Sequence, residues 1–187
     1  MAIALLPVDF QTGFDNPAWG PRNNPGAEAA AARLLAAFRA AGRPVIHVRH
    51  VSDDPASPLA PGTGGTGFKP ELLPDPGEPV FEKSVNAAFI GTGLEAHLRA
   101  AGIDALVICG LTTPHCVSTT CRMAANLGFA VTLAHDACAA FARNADTGWA
   151  AGLPPMRAEE IHASAVSHLH GEFLTARGTA AILRDLA

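Results

Sequence analysis

Residues 106–125 read LVICGLTTPHCVSTTCRMAA, and the order of apolar run, glycine, proline and helical spacing in this stretch decides the fold. Leu106 to Cys109 is a short continuous apolar run, the pattern of a fully buried strand. Gly110 ends it. Thr112, Thr113 and Pro114 predict a tight turn, with Thr113 as a helix N-cap and Pro114 at the first helical position. Val117, Met123, Ala124 and Leu127 then line one helix face. Cys116 falls in the first helical turn, just past the carboxyl end of a buried strand. Unpaired N–H groups and the helix dipole favour an anion there, so the thiol pKa is expected to fall. Cys116 is therefore a candidate nucleophile. The same position suits a small buried hydrophobe, the usual role of a free cysteine, and both readings stand on this stretch alone.

Outward from this unit, strands and helices alternate. Ile3 to Val8 is an apolar run closed by Asp9. Pro25 to Ala41 is an alanine-rich helix with Leu34, Leu35 and Phe38 near helical spacing and Gly42 as its stop. Pro44 to Val48, Val80 to Glu82 and Ala130 to Leu133 read as strands, with a weaker one at Phe173 to Thr175. Gly91 to Ala101, Met156 to His170 and Thr179 to Leu186 read as helices, and 134–155 as a loop. Such alternation implies right-handed crossovers and a mainly parallel sheet covered on both faces. The expected fold class is α/β: a three-layer α/β/α, Rossmann-like arrangement of six strands, with residues 1–187 as one domain.

Composition narrows the function. The chain has 187 residues, a net charge of −4 and no basic run, so nucleic acid is not an expected partner. No apolar stretch reaches the ~18 residues of a membrane span, and the start, MAIALLPVDF, lacks the charged n-region of a signal peptide. The four cysteines (109, 116, 121, 138) form no C-x-x-C pair, so reduced, cytoplasmic thiols are expected. His47 and His50 follow H-x-x-H, but on a strand that spacing puts them on opposite faces. One core and one rim histidine is the favoured reading, and no metal or other cofactor is expected. Residues 62–67, GTGGTG, lack the preceding strand and following helix that a phosphate loop needs. The long Pro- and Gly-rich region 52–79 is expected to be functional or an oligomer contact.

In parallel sheets the ligand crevice lies outside the carboxyl ends of the strands. Three chemically loaded residues stand at such ends: Asp9, Lys83 and Cys116. An Asp after a strand is commonly a cap, and a loop Lys is commonly a solvated charge. On one rim, however, they supply a base, a cation and a nucleophile. Cys–His pairing is the rival arrangement, but His115 adjoins Cys116, and adjacent helical residues do not face each other. Phe14 and Trp19, in the loop after the first strand, are candidate pocket walls or core cover; Phe89 and His115 are further candidate pocket residues.

These residues lie in three motifs: VDFQTGF at 8–14, FEKSVNAAFIGTGLEAHLR at 81–99 and VICGLTTPHCVSTTCRMAANLGF at 107–129. Three in order, with this spacing, make the chain resemble the isochorismatase-like cysteine hydrolase superfamily, which includes nicotinamidases and other small amidases. The resemblance spans nearly the whole chain. It implies an Asp9–Lys83–Cys116 triad, a cis bond between Leu111 and Thr112, and an oxyanion hole from the backbone N–H groups of Thr112 and Cys116. It also implies a homo-oligomer, dimer or tetramer, acting on a small molecule. There are departures. Residues 47–55, HVRHVSDDP, lack the Asp-x-His…His metal pattern of nicotinamidases, which argues against both a metal and nicotinamide. Pro114 stands where relatives often carry Asp. Isochorismatases proper lack the cysteine and act on a vinyl ether, so Cys116 favours amide or ureide C–N cleavage through a thioester. A vinyl-ether hydrolase and a non-catalytic oligomeric binding module are the alternatives.

Overall fold

A computed structural model describes residues 2–186. Its sheet has six parallel strands in the order β3-β2-β1-β4-β5-β6. In chain order these are β1 (Ala2–Val8), β2 (His47–His50), β3 (Val80–Lys83), β4 (Ile103–Leu111), β5 (Ala130–Ala139) and β6 (Thr175–Arg177). The helices are α1 (Ala27–Ala40), α2 (Leu94–Ala100), α3 (Ser118–Asn126), α4 (Ala158–Ser167) and α5 (Thr179–Leu186). The layers are helix, sheet, helix, as expected. No helix among the described residues is long and apolar enough to cross a membrane.

The apolar runs become the middle of the sheet. Leu5 and Leu6 of β1, and Leu106, Val107 and Ile108 of β4, are fully enclosed, which is why these strands read as continuous rather than alternating apolar runs. On one face α1 buries Ala27, Ala30, Ala31, Leu34, Leu35 and Phe38, an i, i+3, i+4 stripe, and packs against α5. On the other, Arg99 of α2 lies over the Phe129 ring and donates to the Leu127 carbonyl just past α3.

Two expectations are corrected. First, β5 does not end at Leu133. It runs on to Ala139, across an irregularity after which Cys138 pairs with Gly110. His135 and Asp136 hide this continuation by interrupting the apolar run; Asp136 Oδ1 instead accepts from Thr179 N and Oγ1 and caps α5. Second, the last strand is Thr175–Arg177, two residues later than the apolar signal.

The sequence order of strands reverses between β1 and β4, which places a crevice at their carboxyl ends. Gly110 makes that junction tight. It pairs with Val8, has φ +148°, and a Cβ there would stand 2.1 Å from the Val8 carbonyl oxygen. Only glycine fits so close a backbone approach.

Candidate active site

Three strand ends deliver the site. Asp9 follows β1 directly and has φ +55°, a left-handed conformation that Asp tolerates better than most residues. Its N–H donates to the Val48 carbonyl at 2.9 Å, which fixes the turn against β2. Lys83 is the last residue of β3 and pairs in register with His50 of β2. Its side chain crosses the end of β2. Nζ donates to Asp9 Oδ2 at 2.6 Å and to His50 Nδ1 at 3.1 Å. Both members of the ion pair are sealed from solvent, and Asp9 Oδ1 has no hydrogen-bond partner among the described residues. Burial raises the Asp9 pKa, and the Lys83 ammonium works against that rise. Burial lowers the His50 pKa, and the Lys83 charge adds to the effect. A neutral ring accepting from Lys83 fits both the distance and the shift.

Cys116 comes from the segment after β4, by a different local structure from the one expected. The Leu111–Thr112 bond is cis. Thr112, not Thr113, occupies the cap position, with extended backbone (φ −100°, ψ 151°), and no side chain caps the turn. Thr113–Val117 is a π-helical turn, closed by Val117 N–H donating to Thr112 O at 3.3 Å, and α-helix begins only at Ser118. The Thr113 hydroxyl is engaged elsewhere, 2.9 Å from Nδ1 of His162. A tertiary partner has displaced the local cap that sequence spacing favours.

The Cys116 thiol lies within 4.8 Å of Asp9 and His50 ligand atoms and 3.6 Å from Asn86 Oδ1. Its pKa does not fall. Burial pushes it up to about 12; the Asp9 charge adds to the rise, and Lys83 opposes it. The expected helix-terminus effect is outweighed because the sulfur is enclosed beside a carboxylate. The resting group is a thiol. Cys109, Cys121 and Cys138 are buried with raised pKa values as well.

A cavity of about 110 Å³ opens over Cys116, the share of roughly four waters in the liquid at ~30 Å³ each. Phe14, Trp19, His115 and Thr112 line it, as the sequence suggested. Phe14 stacks on Phe141 at a centroid distance of 6.0 Å and meets Trp19 at a tilt, 5.1 Å away, and Trp19 Nε1 donates to the Gly13 carbonyl at 2.9 Å. Phe89 is not part of this wall. It is buried and stacks on Phe129 at 6.0 Å, filling the core beside α2 and α3. Four more residues line the cavity: Ser57 and Leu59, from the 52–79 region expected to be functional, and His50 and Asn86, which the sequence does not mark as pocket residues. Asn86 lies three residues past Lys83 with nothing in its type to mark it. Ser57 and Leu59 belong to the 52–79 region, which folds back over the turn after β1. Gly13 N–H donates to the Gly65 carbonyl at 2.9 Å, and Gln11 ties the same turn to His50 O and Thr66 O.

His47 and His50 divide as the strand parity predicts. His47 is buried and 2.9 Å from Glu78 Oε2, while His50 faces the site. Among the described residues, the grouping of possible metal donors is Asp9, His50 and Cys116. The Lys83 ammonium already occupies an oxygen of the first and a nitrogen of the second.

Comparison with known proteins agrees with the fold. The isochorismatase domain profile matches residues 3–161. The isochorismatase family protein YrdC of Bacillus subtilis is 42% identical over 97% of this chain and 95% of its own length. An isochorismatase-family crystal structure from Chromobacterium violaceum superposes with a TM-score of 0.91 at 49% identity, covering 99% of this chain and 93% of the other. The maleamate amidohydrolase of Pseudomonas putida is 32% identical over 67% of each chain. The chain belongs to the isochorismatase family of hydrolases.

Proposed function

We propose that this hydrolase cleaves a C–N bond of a small amide or ureide, with Cys116 as nucleophile and a thioester intermediate. The observation that carries the reading is the division of labour on Asp9. Lys83 holds Oδ2 at 2.6 Å, Oδ1 has no hydrogen-bond partner among the described residues, and the thiol lies within 4.8 Å of the carboxylate. Burial raises the Asp9 pKa and the buried Lys83 ammonium opposes that rise, which leaves beside Cys116 a carboxylate basic enough to take the proton of a thiol of pKa about 12.

In the proposed cycle Asp9 takes the Cys116 proton as sulfur attacks the carbonyl carbon. The carbonyl electron pair moves to oxygen, and the oxyanion rests on the N–H groups of Thr112 and Cys116. Collapse breaks the C–N bond, and Asp9 returns the proton to the departing nitrogen. Water then attacks the thioester while Asp9 accepts its proton; collapse releases the acid and restores the thiol. His50 keeps the Lys83 ammonium over Asp9. The small cavity and its aromatic wall suit a short, flat acyl group. The relative from Pseudomonas putida, named as an amidohydrolase, supports the amide assignment.

The test is ammonia release from a panel of small amides and ureides, with intact-mass detection of the acylated enzyme. A substrate that adds its acyl mass to Cys116 in the parent and not in Cys116→Ala is the expected result. Full turnover by Cys116→Ala would overturn the proposal.

A further inference from the structure

Behind the catalytic turn lies a second pocket, of about 280 Å³, between that turn, α3 and α4. Five of its lining residues carry side-chain hydrogen-bond donors: Ser118, Arg122, Asn144, Ser164 and His168. No carboxylate lines it among the described residues. None of these side chains donates a hydrogen bond among the described residues. Asn144 is buried; its Oδ1 accepts from Phe141 N, and its Nδ2 has no partner among the described residues. Arg122 is half-buried, with its guanidinium 4.5 Å from the Phe173 ring centroid, and forms no ion pair among the described residues. The remaining wall is apolar, including Met156 and Ile161.

We propose that this pocket binds a small organic anion, a carboxylate bearing a short apolar group. The chemistry is one of complementarity. A half-buried guanidinium with free donors is the residue best matched to a carboxylate, and uncommitted hydroxyl and amide donors around it supply the remaining bonds. A side without acids imposes no repulsion, and the apolar wall rewards a hydrocarbon tail. The volume, roughly nine waters at ~30 Å³ each, admits such a ligand whole. The site is distinct from the cavity over Cys116 but borders the same turn: Pro114 lies in the turn that carries the cysteine and Ser118 directly follows it. An occupant therefore touches the segment that aims the nucleophile.

The test is titration of the full-length protein with butyrate, acetate, phosphate and n-butanol, followed by calorimetry and by amide NMR shifts. Butyrate is expected to saturate, with shifts at Ser118, Arg122 and Ser164, to bind more tightly than acetate or phosphate, and to weaken as salt rises. Arg122→Met, which keeps the stem over Phe173, is expected to weaken butyrate at least tenfold. Ser164→Ala gives a smaller loss and serves if the first variant does not fold. Lys83→Met removes the active-site cation and is expected to leave butyrate binding unchanged. Binding unchanged in both pocket variants, binding lost in Lys83→Met, n-butanol binding as well as butyrate, acetate or phosphate binding as tightly as butyrate, or no binding at millimolar concentration would each overturn the proposal.

Discussion

Lys83 Nζ stands 2.6 Å from Asp9 Oδ2, with both side chains sealed from water at the ends of strands that are not neighbours in the sheet. Burial alone would keep Asp9 protonated, and the ammonium opposes this. Lys83→Met keeps length and loses charge. Asp9 should then ionise only at higher pH, so turnover near neutrality is expected to fall by about 10³-fold or more, with residual activity rising as pH increases. Steady-state pH profiles of parent and variant check this; an unchanged profile would refute the triad.

Asp9→Asn separates charge from base. The Asp9 charge is one cause of the raised Cys116 pKa, so removing it should lower the pH at which iodoacetamide labels Cys116. Turnover should nevertheless drop by about 10²–10⁴-fold, because the proton acceptor is gone. Site-resolved alkylation by mass spectrometry, beside kinetics, reads both. Easier labelling with intact turnover would exclude Asp9 as base.

In the proposed cycle His50 acts by placing Lys83. Its Nδ1 accepts from Nζ at 3.1 Å, and a buried charge that loses a partner costs more than the roughly 1–3 kcal/mol of an unpaired neutral group. His50→Leu is expected to cut turnover about 10–100-fold. His50→Gln, which can restore an acceptor, should recover part of that. Equal activity of the two variants would show that the acceptor is irrelevant.

Acid stability should depend on Glu78. Despite the opposing effect of burial, hydrogen bonds from Arg39, the Asp75 N–H and His47 lower its pKa to about 2. A carboxylate depressed in the fold contributes stability above its unfolded pKa near 4.5, and that contribution is lost as pH falls from there toward 2. After solvent screening it is about 1–2 kcal/mol. Glu78→Gln should therefore melt about 3–6 °C below the parent at pH 7, and the gap should close by pH 2. A gap independent of pH would point to packing rather than charge.

Strand ends were the readable part of this chain. Asp9, Lys83 and Cys116 could be placed on one rim because each follows an apolar run, and a parallel sheet collects those ends. His50 could be assigned its face by strand parity, but not its bond to Lys83, which depends on the register of β2 with β3. Phe89 was misplaced because it sits in irregular chain between Lys83 and α2, where no periodicity says which way a side chain points. The thiol pKa was misread for a similar reason: position on a helix is local, whereas burial beside Asp9 is set by a strand over a hundred residues earlier. The π-helical turn likewise answers to His162, on α4.

The close packing of Gly13 and Gly65 has its own measurable effect. A Cβ on Gly65 would fall 2.0 Å from the Pro58 carbonyl oxygen, between the lining residues Ser57 and Leu59. Gly65→Ala should displace that wall and raise KM several-fold, with a smaller change in kcat, since neither the triad nor its strands are touched. A fall in kcat alone would place the segment in the chemistry instead.

That fastening also separates two inheritances within the chain. Ser57 and Leu59 hang on an excursion between β2 and β3 that is pinned by backbone bonds to Thr12 and Gly13, whereas the triad grows from the sheet itself. A differently shaped excursion between the same two strands would therefore reshape the cavity wall while Asp9, Lys83 and Cys116 stayed where the sheet puts them.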